Sequence, residues 1–454
     1  MFDYNARRQK LCEMMGSRGS DGEILLLGGV SSPRNFESNP YMNFRQNSHF
    51  LYFFGINQPG FVGVNHCNGE SSLFGPRSTL NDVIWEGECR TLEEWGERAG
   101  VTRVFPIEEL EDFLRGQQQE LHTLMPLQAE LQVELSRLLH CDVRSLVQRV
   151  SSSLSSNEVE MRLFKEAEEV AEIERALEHT VGCFEEIAAG CAEGLRTAEI
   201  FSWASRRSAQ TGLDFAYAPI ITPRGEILHA RGYQETLSAG RMLLVDLGFE
   251  SEFGYASDLT RTSALGGRYT AQQTALIDLV ISVQKAAIEA CCVDRSFLDV
   301  HLLACRHLVE GLKSLGLMQG DTDEAVAAGA HALFFPHGLG HALGLDVHDM
   351  EDLGDVVGYG VDGARSTQFG LNYLRFARTL GADMVVTVEP GCYMIPALFE
   401  QWRAEHRHSA FIVYEEVESW MGMGGIRIED DVLITSEGPR VLGPTLPKHN
   451  ARAA

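Results

Sequence analysis

Five side chains able to bind a cation stand at the ends of short apolar runs in the second half of the chain. Asp246 closes Leu243-Leu244-Val245-Asp246, and Asp258 lies in Ala256-Ser257-Asp258-Leu259-Thr260-Arg261-Thr262. His341 ends Pro336-His337-Gly338-Leu339-Gly340-His341, and Glu389 stands in Val386-Thr387-Val388-Glu389-Pro390-Gly391. Glu429 stands in Gly424-Gly425-Ile426-Arg427-Ile428-Glu429-Asp430. Taken singly, each has an ordinary reading: a strand-end Asp caps a turn, a Glu after a strand meets solvent, and a His among glycines is structural. Taken jointly they do not. A hairpin turning at 248–254 brings Asp246 and Asp258 together, and strand alternation puts Arg427 and Glu429 on one face with Ile426 and Ile428 on the other. Two carboxylates about 4 Å apart repel by roughly 4 kcal/mol at an effective dielectric of 20. Four carboxylates and an imidazole carry a charge of about −4, which two divalent cations would cancel. Oxygen and imidazole donors without cysteine suit Mn, Co, Zn or Fe.

The elements that must position these residues are legible in outline. Residues 242–247 read as an apolar strand and 255–263 as its return. Residues 271–292 and 297–315 read as helices, and 384–388 and 426–435 as further strands. The first third mixes short runs: 23–27 and 60–64 as strands, 107–115 and 120–139 as helices. A serine-rich stretch at 151–156 punctuates the chain. After it, Met161, Phe164, Ala167, Ala171, Leu177, Val181 and Phe184 mark one buried helical face, with Ser156 or Asn157 as its cap. This divides the chain into a smaller α/β domain over 1–155 and an α+β domain over 156–454.

Composition bounds the rest. A length of 454 residues favours two domains, and 44% apolar with 22% charged residues describes a globular protein. A formal net charge of −26 argues against nucleic acid, which needs clustered Lys and Arg, and against an anionic membrane. No apolar segment follows the N-terminal Met1-Phe2-Asp3-Tyr4, and no run is long enough to span a bilayer. Ten cysteines, including Cys67, form no CxxC pair. Scattered thiols fit a reducing compartment, and the cytoplasm is the expectation.

The ligand set and its order resemble the pita-bread metallopeptidases, in the branch that contains prolidase and aminopeptidase P. The segment from His337 through His341 to Val347-His348-Asp349 is similar to that branch's proline-peptidase signature, and His229 in Ile227-Leu228-His229 to its upstream histidine. In the first domain, Phe44-Arg45-Gln46-Asn47-Ser48-His49-Phe50-Leu51-Tyr52-Phe53-Phe54-Gly55 and Ile84-Trp85-Glu86-Gly87 resemble the same enzymes. The resemblance implies a pita-bread catalytic domain holding two divalent ions, manganese first, on Asp246, Asp258, His341, Glu389 and Glu429. Asp258 and Glu429 would bridge them. Three departures stand out: an Asp246-to-Asp258 step one residue longer than usual, Ala230 where Tyr is frequent, and Cys392 after Glu389-Pro390-Gly391.

The same resemblance implies cleavage of the bond between an N-terminal residue and a following proline. Glu389 would relay a proton to the leaving nitrogen, and His337 and His348 would bind the carbonyl oxygen or the leaving side. Arg427 would hold a metal carboxylate, and His229 would line the proline pocket. Arg375, in Gly370-Leu371-Asn372-Tyr373-Leu374-Arg375-Phe376, matches a prolidase arginine that clamps a dipeptide's free carboxylate. A dipeptidase is therefore expected ahead of an aminopeptidase acting on longer peptides. A metal-free pita-bread binding module is the remote alternative. By analogy with the branch, a homodimer is expected.

Overall fold

The computed structural model describes residues 2–20, 22–36, 39–40, 43–66, 68–115 and 120–449; Cys67 lies outside them. Contacts divide the chain into two units, Met1–Arg162 with Asp352–Gly354, and Leu163–Glu351 with Asp355–Ala454. No disulfide joins any of the nine described cysteines. Among the described residues, no helix is long and apolar enough to cross a membrane.

The first unit is built on five strands, β1 (Glu23–Leu27), β2 (Val62–Asn65), β3 (Ser71–Gly75), β4 (Arg103–Pro106) and β5 (Leu121–Thr123). Their order is β4-β3-β2-β1-β5, with β1/β2 and β2/β3 antiparallel and the outer pairs parallel. Leu25, Val64 and Phe74 from this sheet pack with Leu135 and Leu146 in one core. Two helical expectations change here. Residues 120–139 split into β5 and a helix over Ala129–Leu138. Pairing with β1 claims 121–123, and Pro126, which has no N–H to donate, lies in the connection. The serine-rich stretch is itself helical: α1 spans Ser152–Leu163, and the Ser151 hydroxyl accepts from the Leu154 N–H at 3.2 Å as its cap. Leu154 and Val159 are fully buried, which outweighs the modest helix propensity of serine.

The second unit begins with a break. Instead of one helix running on from residue 156, the chain leaves α1, and Phe164 bridges Met384 while the Lys165 N–H donates to the Asp383 carbonyl at 2.8 Å. A new helix, α2 (Ala167–Gly190), then starts with Glu166 and Glu169 forming a capping box. Further on, α3 (Ala271–Ala290) starts at a Thr270–Gln273 capping box and buries Leu276, Val280, Val283 and Ala287 along one stripe. This stripe packs near the matching Val300, Ala304 and Leu308 of α4 (Phe297–Ser314).

Between the helices lie antiparallel strands. β6 (Ile220–Thr222), β7 (Met242–Leu247) and β8 (Leu259–Ala264) form one sheet with β7 central. β9 (Val385–Val388) pairs with a later strand, β12 (Asp430–Thr435), and β10 (Gly391–Tyr393) pairs with β11 (Gly425–Arg427). The single strand expected over 426–435 is thus two. The backbone changes partner between them: the Ile428 N–H reaches the Pro390 carbonyl at 3.4 Å and the Glu429 N–H the Thr260 carbonyl at 3.1 Å. The change of partner fixes Glu429 beside the β7–β8 hairpin.

Candidate metal centre and substrate cavity

Strand register brings the five expected ligands together. Leu247 pairs with Leu259, so Asp258 falls one position beyond the pair and on the same side as Asp246. Gly248 makes this closeness steric, because a Cβ there would lie 1.7 Å from the Ser257 carbonyl oxygen. His341 enters from the glycine-rich loop, where a Cβ on Gly340 would lie 2.0 Å from the Thr387 carbonyl oxygen. Glu389 follows β9, and Glu429 sits at the partner change between β11 and β12. Donor atoms of Asp258, His341 and Glu429 fall within 4.8 Å of one another. His341 Nε2 is 3.4 Å from Asp258 Oδ2 and 3.7 Å from Glu389 Oε1. All five line one cavity of about 1100 Å3, together with His229, His337, His348, Arg375 and Arg427. Every residue expected at the site from sequence lies on this cavity.

The cluster is electrostatically expensive as it stands. Burial drives Glu429 well above the usual carboxylate range, and Asp258, Glu389 and Asp246 add their repulsion. Burial also raises Glu389, to about 7, against the opposing pull of His341 and Arg427. Asp246 is raised by burial and by Asp258, with Arg427 resisting. Burial disfavours charge on His341, but its contact with Asp258 and the charge of Glu389 outweigh this and raise its pKa. Tyr217 makes the excess of acceptors explicit. Its hydroxyl lies 2.6 Å from Asp246 Oδ1 and 2.5 Å from Asp258 Oδ1, yet carries one proton for two carboxylates. Carboxylates and an imidazole crowded in this way fit divalent cations, which replace protons as the balancing charge.

The surrounding residues hold the donors in place. Arg427 donates from Nη2 to Asp246 Oδ2, from Nε to Thr260 Oγ1 at 3.2 Å and from Nη1 to Tyr393 Oη at 3.2 Å. Thr260 donates its hydroxyl to Glu429 Oε2 at 2.6 Å. Asp431 accepts from the Asp258 N–H at 3.0 Å. The His341 Nδ1 is 3.1 Å from the Ala342 carbonyl, which requires the proton on Nδ1 and leaves Nε2 as the donor atom for a cation. Tyr217, Thr260, Tyr393 and Asp431 were not singled out from sequence. Their signal is long-range pairing: Tyr217 stands 29 and 41 residues from its two aspartates.

The cavity also presents two further histidines in different states. His337 is tied at both nitrogens, Nδ1 to the Gly338 carbonyl at 2.8 Å and Nε2 to Tyr393 Oη at 2.7 Å. Burial and Arg427 lower its pKa to about 3, so the ring is neutral. His348 Nδ1 lies 3.3 Å from Glu351 Oε2, which favours the proton on Nδ1. Its Nε2 carries no hydrogen bond among the described residues. Arg375 also meets Glu351, donating from Nη1 to both oxygens at 2.8 and 2.7 Å.

Comparison with known proteins agrees with this geometry. Residues 171–436 match metallopeptidase family M24, and residues 4–125 match the aminopeptidase P N-terminal domain. The human Xaa-Pro dipeptidase is 31% identical, over 97% of this chain and 90% of that protein. The Xaa-Pro aminopeptidase of Escherichia coli K12 is 30% identical, over 96% of this chain and 93% of that protein. Among solved structures, Pseudomonas aeruginosa aminopeptidase PepP superposes with a TM-score of 0.77 at 26% identity, covering 96% of this chain and 93% of that one. The zinc-substituted E. coli aminopeptidase P in complex with product gives 0.76 at 27% identity, with the same coverage. With a pita-bread domain after an aminopeptidase P-type N-terminal domain, the chain belongs to metallopeptidase family M24.

Proposed function

We propose that this enzyme holds two divalent ions and cleaves Xaa-Pro peptide bonds, with Xaa-Pro dipeptides as its preferred substrates. The observation that carries the proposal is the convergence of Asp246, Asp258, His341, Glu389 and Glu429 on one cavity that also presents Arg375. Asp246, Asp258, His341, Glu389 and Glu429 would hold the ions. Cations held there would acidify a water and polarise the scissile carbonyl. Manganese is the first expectation, and the same donors accept cobalt, zinc or iron.

The chain's own residues do the remaining work. Glu389, at the cavity wall, moves the proton to the leaving proline nitrogen. The neutral His348 ring offers Nε2 as an acceptor on the leaving side. His337 acts through Tyr393, whose hydroxyl it holds between itself and Arg427. Arg427 keeps Asp246 oriented, and His229 borders the proline pocket. Proline's missing N–H defeats peptidases that read that donor, so a shaped pocket must recognise the ring instead.

The aminopeptidase reading draws on one observation, that Glu351 already pairs with Arg375 and competes with a substrate carboxylate. The deciding experiment compares kcat/KM of the unmodified enzyme on Ala-Pro and Ala-Pro-Ala, with Ala-Ala as control. Dipeptidase action predicts faster cleavage of Ala-Pro. Faster cleavage of Ala-Pro-Ala would transfer the assignment to aminopeptidase P, and equal turnover of Ala-Ala would remove the proline reading. A homodimer and a reducing, cytoplasmic setting belong to the same proposal.

A further inference from the structure

A second cluster of metal-binding side chains lies outside the substrate cavity. His301 and Cys305 stand one turn apart on α4, and His331 lies in the 3-10 turn Ala330–Leu333. All three are fully buried. One donor atom from each falls within 4.8 Å of the other two, and Cys305 Sγ is 3.5 Å from His301 Nε2. Sulfur and nitrogen bound to one zinc at a tetrahedral angle lie roughly 3.5 Å apart, given bond lengths of about 2.3 and 2.0 Å. The helix alone therefore sets two donors at ligand spacing.

Three nitrogens of the cluster lack hydrogen-bond partners among the described residues. His301 Nδ1 and both ring nitrogens of His331 are buried without a hydrogen bond. A buried polar atom left without a partner is costly, so an imidazole unsatisfied at both nitrogens calls for an occupant. Burial lowers His301 to about 3 and His331 to about 4, which leaves both rings in the neutral form that ligates. Burial raises the Cys305 thiol, a cost that a bound cation reverses by stabilising the thiolate.

We propose that His301, Cys305 and His331 form a buried structural site for one thiophilic cation, Zn(II) or Cu(I), separate from the carboxylate centre. Sulfur and imidazole donors select such ions over the oxygen-preferring ones. On binding, the cysteine proton leaves to solvent and the ion takes its place. One thiolate and two neutral rings then bring a single negative charge, which Cu(I) neutralises fully and Zn(II) exceeds. The ion pins the turn Ala330–Leu333 to α4. Phe335 follows that turn, and its ring centroid lies 5.5 Å from that of His301 and 4.8 Å from that of His337. The site thus stands behind the loop that carries His337.

Cobalt reads the site directly, because a thiolate bound to Co(II) gives an intense near-ultraviolet charge-transfer band and the carboxylate centre holds no sulfur. The full chain is produced with Co(II) as the only added transition metal. The band should appear in the unmodified protein, persist in Asp258→Asn, which damages the carboxylate centre, and vanish in Cys305→Ser. His331→Asn keeps the thiol and should lose most of the band, which covers the case of a serine variant that does not fold. Zn(II) alone and Cu(I) alone, added in competition, identify the preferred ion by which erases the band. No band in the unmodified protein, or an undiminished band in Cys305→Ser or His331→Asn, would overturn the proposal and assign the orphaned nitrogens to buried water.

Discussion

Arg375 and Glu351 make substrate length a question of magnitudes. A dipeptide carboxylate brought within 4 Å of the Arg375 guanidinium gains about 4 kcal/mol at an effective dielectric of 20. Glu351 already holds the same guanidinium, 2.7–2.8 Å from Nη1, so a substrate carboxylate would have to approach from the opposite side. That places the Glu351 charge roughly 7 Å from the incoming carboxylate, a repulsion of about 2 kcal/mol on the same scale. The two side chains are 39% and 36% exposed. Water at such a pair cuts the net gain of about 2 kcal/mol to about 1 kcal/mol. The dipeptide preference should therefore be modest, about 5-fold in kcat/KM. Glu351→Gln removes the repulsion and leaves an oxygen for His348. It should raise kcat/KM on Ala-Pro by about a further 5-fold and change Ala-Pro-Ala by less than about 2-fold. Arg375→Met should lower Ala-Pro by about 30-fold, the screened value of the attraction alone. The assay is steady-state proline release from Ala-Pro and alanine release from Ala-Pro-Ala by all three forms. If Glu351→Gln leaves the dipeptide unchanged, or accelerates both substrates equally, Arg375 does not read the carboxylate.

Three further outcomes follow from the packing. Gly248→Ala should destabilise the fold by about 1–3 kcal/mol and weaken metal binding, because its Cβ would meet the Ser257 carbonyl between the two aspartate-bearing strands; an unchanged urea midpoint refutes this. Arg427→Leu in chelated protein should cost about 3–5 kcal/mol by leaving Asp246 buried without its cation; a loss below about 1 kcal/mol would show that Asp246 does not depend on it. In the first unit, burial opposes charge on His49, but Glu158 at 2.5 Å and Asp352 at 2.7 Å outweigh it and raise the ring to about 10. A folded pKa above the unfolded value stabilises fully below the unfolded value of about 6.5, and the contribution fades as pH climbs toward 10. The stability gap between the unmodified protein and His49→Gln should therefore narrow over that range, and a gap that widens would contradict the assignment.

What the sequence disclosed was local. Asp246 and Asp258 share a hairpin and His341 ends a short glycine-rich segment, so local spacing exposed them, whereas His337 and His348 entered through that segment's resemblance to the family signature. Alternation correctly paired Arg427 with Glu429 at the site, although the strand expected to carry both breaks at Ile428. What stayed hidden depends on contacts between distant segments. Tyr217 looks like an ordinary residue ahead of a strand and Asp431 like an ordinary strand residue until the fold brings them to Asp258. The serine-rich stretch misled for a related reason. Its composition signals a linker, but Leu154 and Val159 bury the helix it belongs to, and that burial outweighs propensity. Glu351 was invisible as a competitor for Arg375, since a residue 24 positions away reaches it only through the folded cavity wall.

The proposed function rests on five convergent side chains that would hold the divalent ions needed for Xaa-Pro cleavage. Its most direct test is Ala-Pro hydrolysis by the unmodified chain and by Asp258→Asn, with the ions bound at the carboxylate centre counted in the same samples. The unmodified chain should hold two such ions and release proline, both abolished by chelation, and Asp258→Asn should lose bound metal together with turnover. Turnover by fully chelated protein, or an Asp258→Asn enzyme that keeps both ions and its rate, would contradict it.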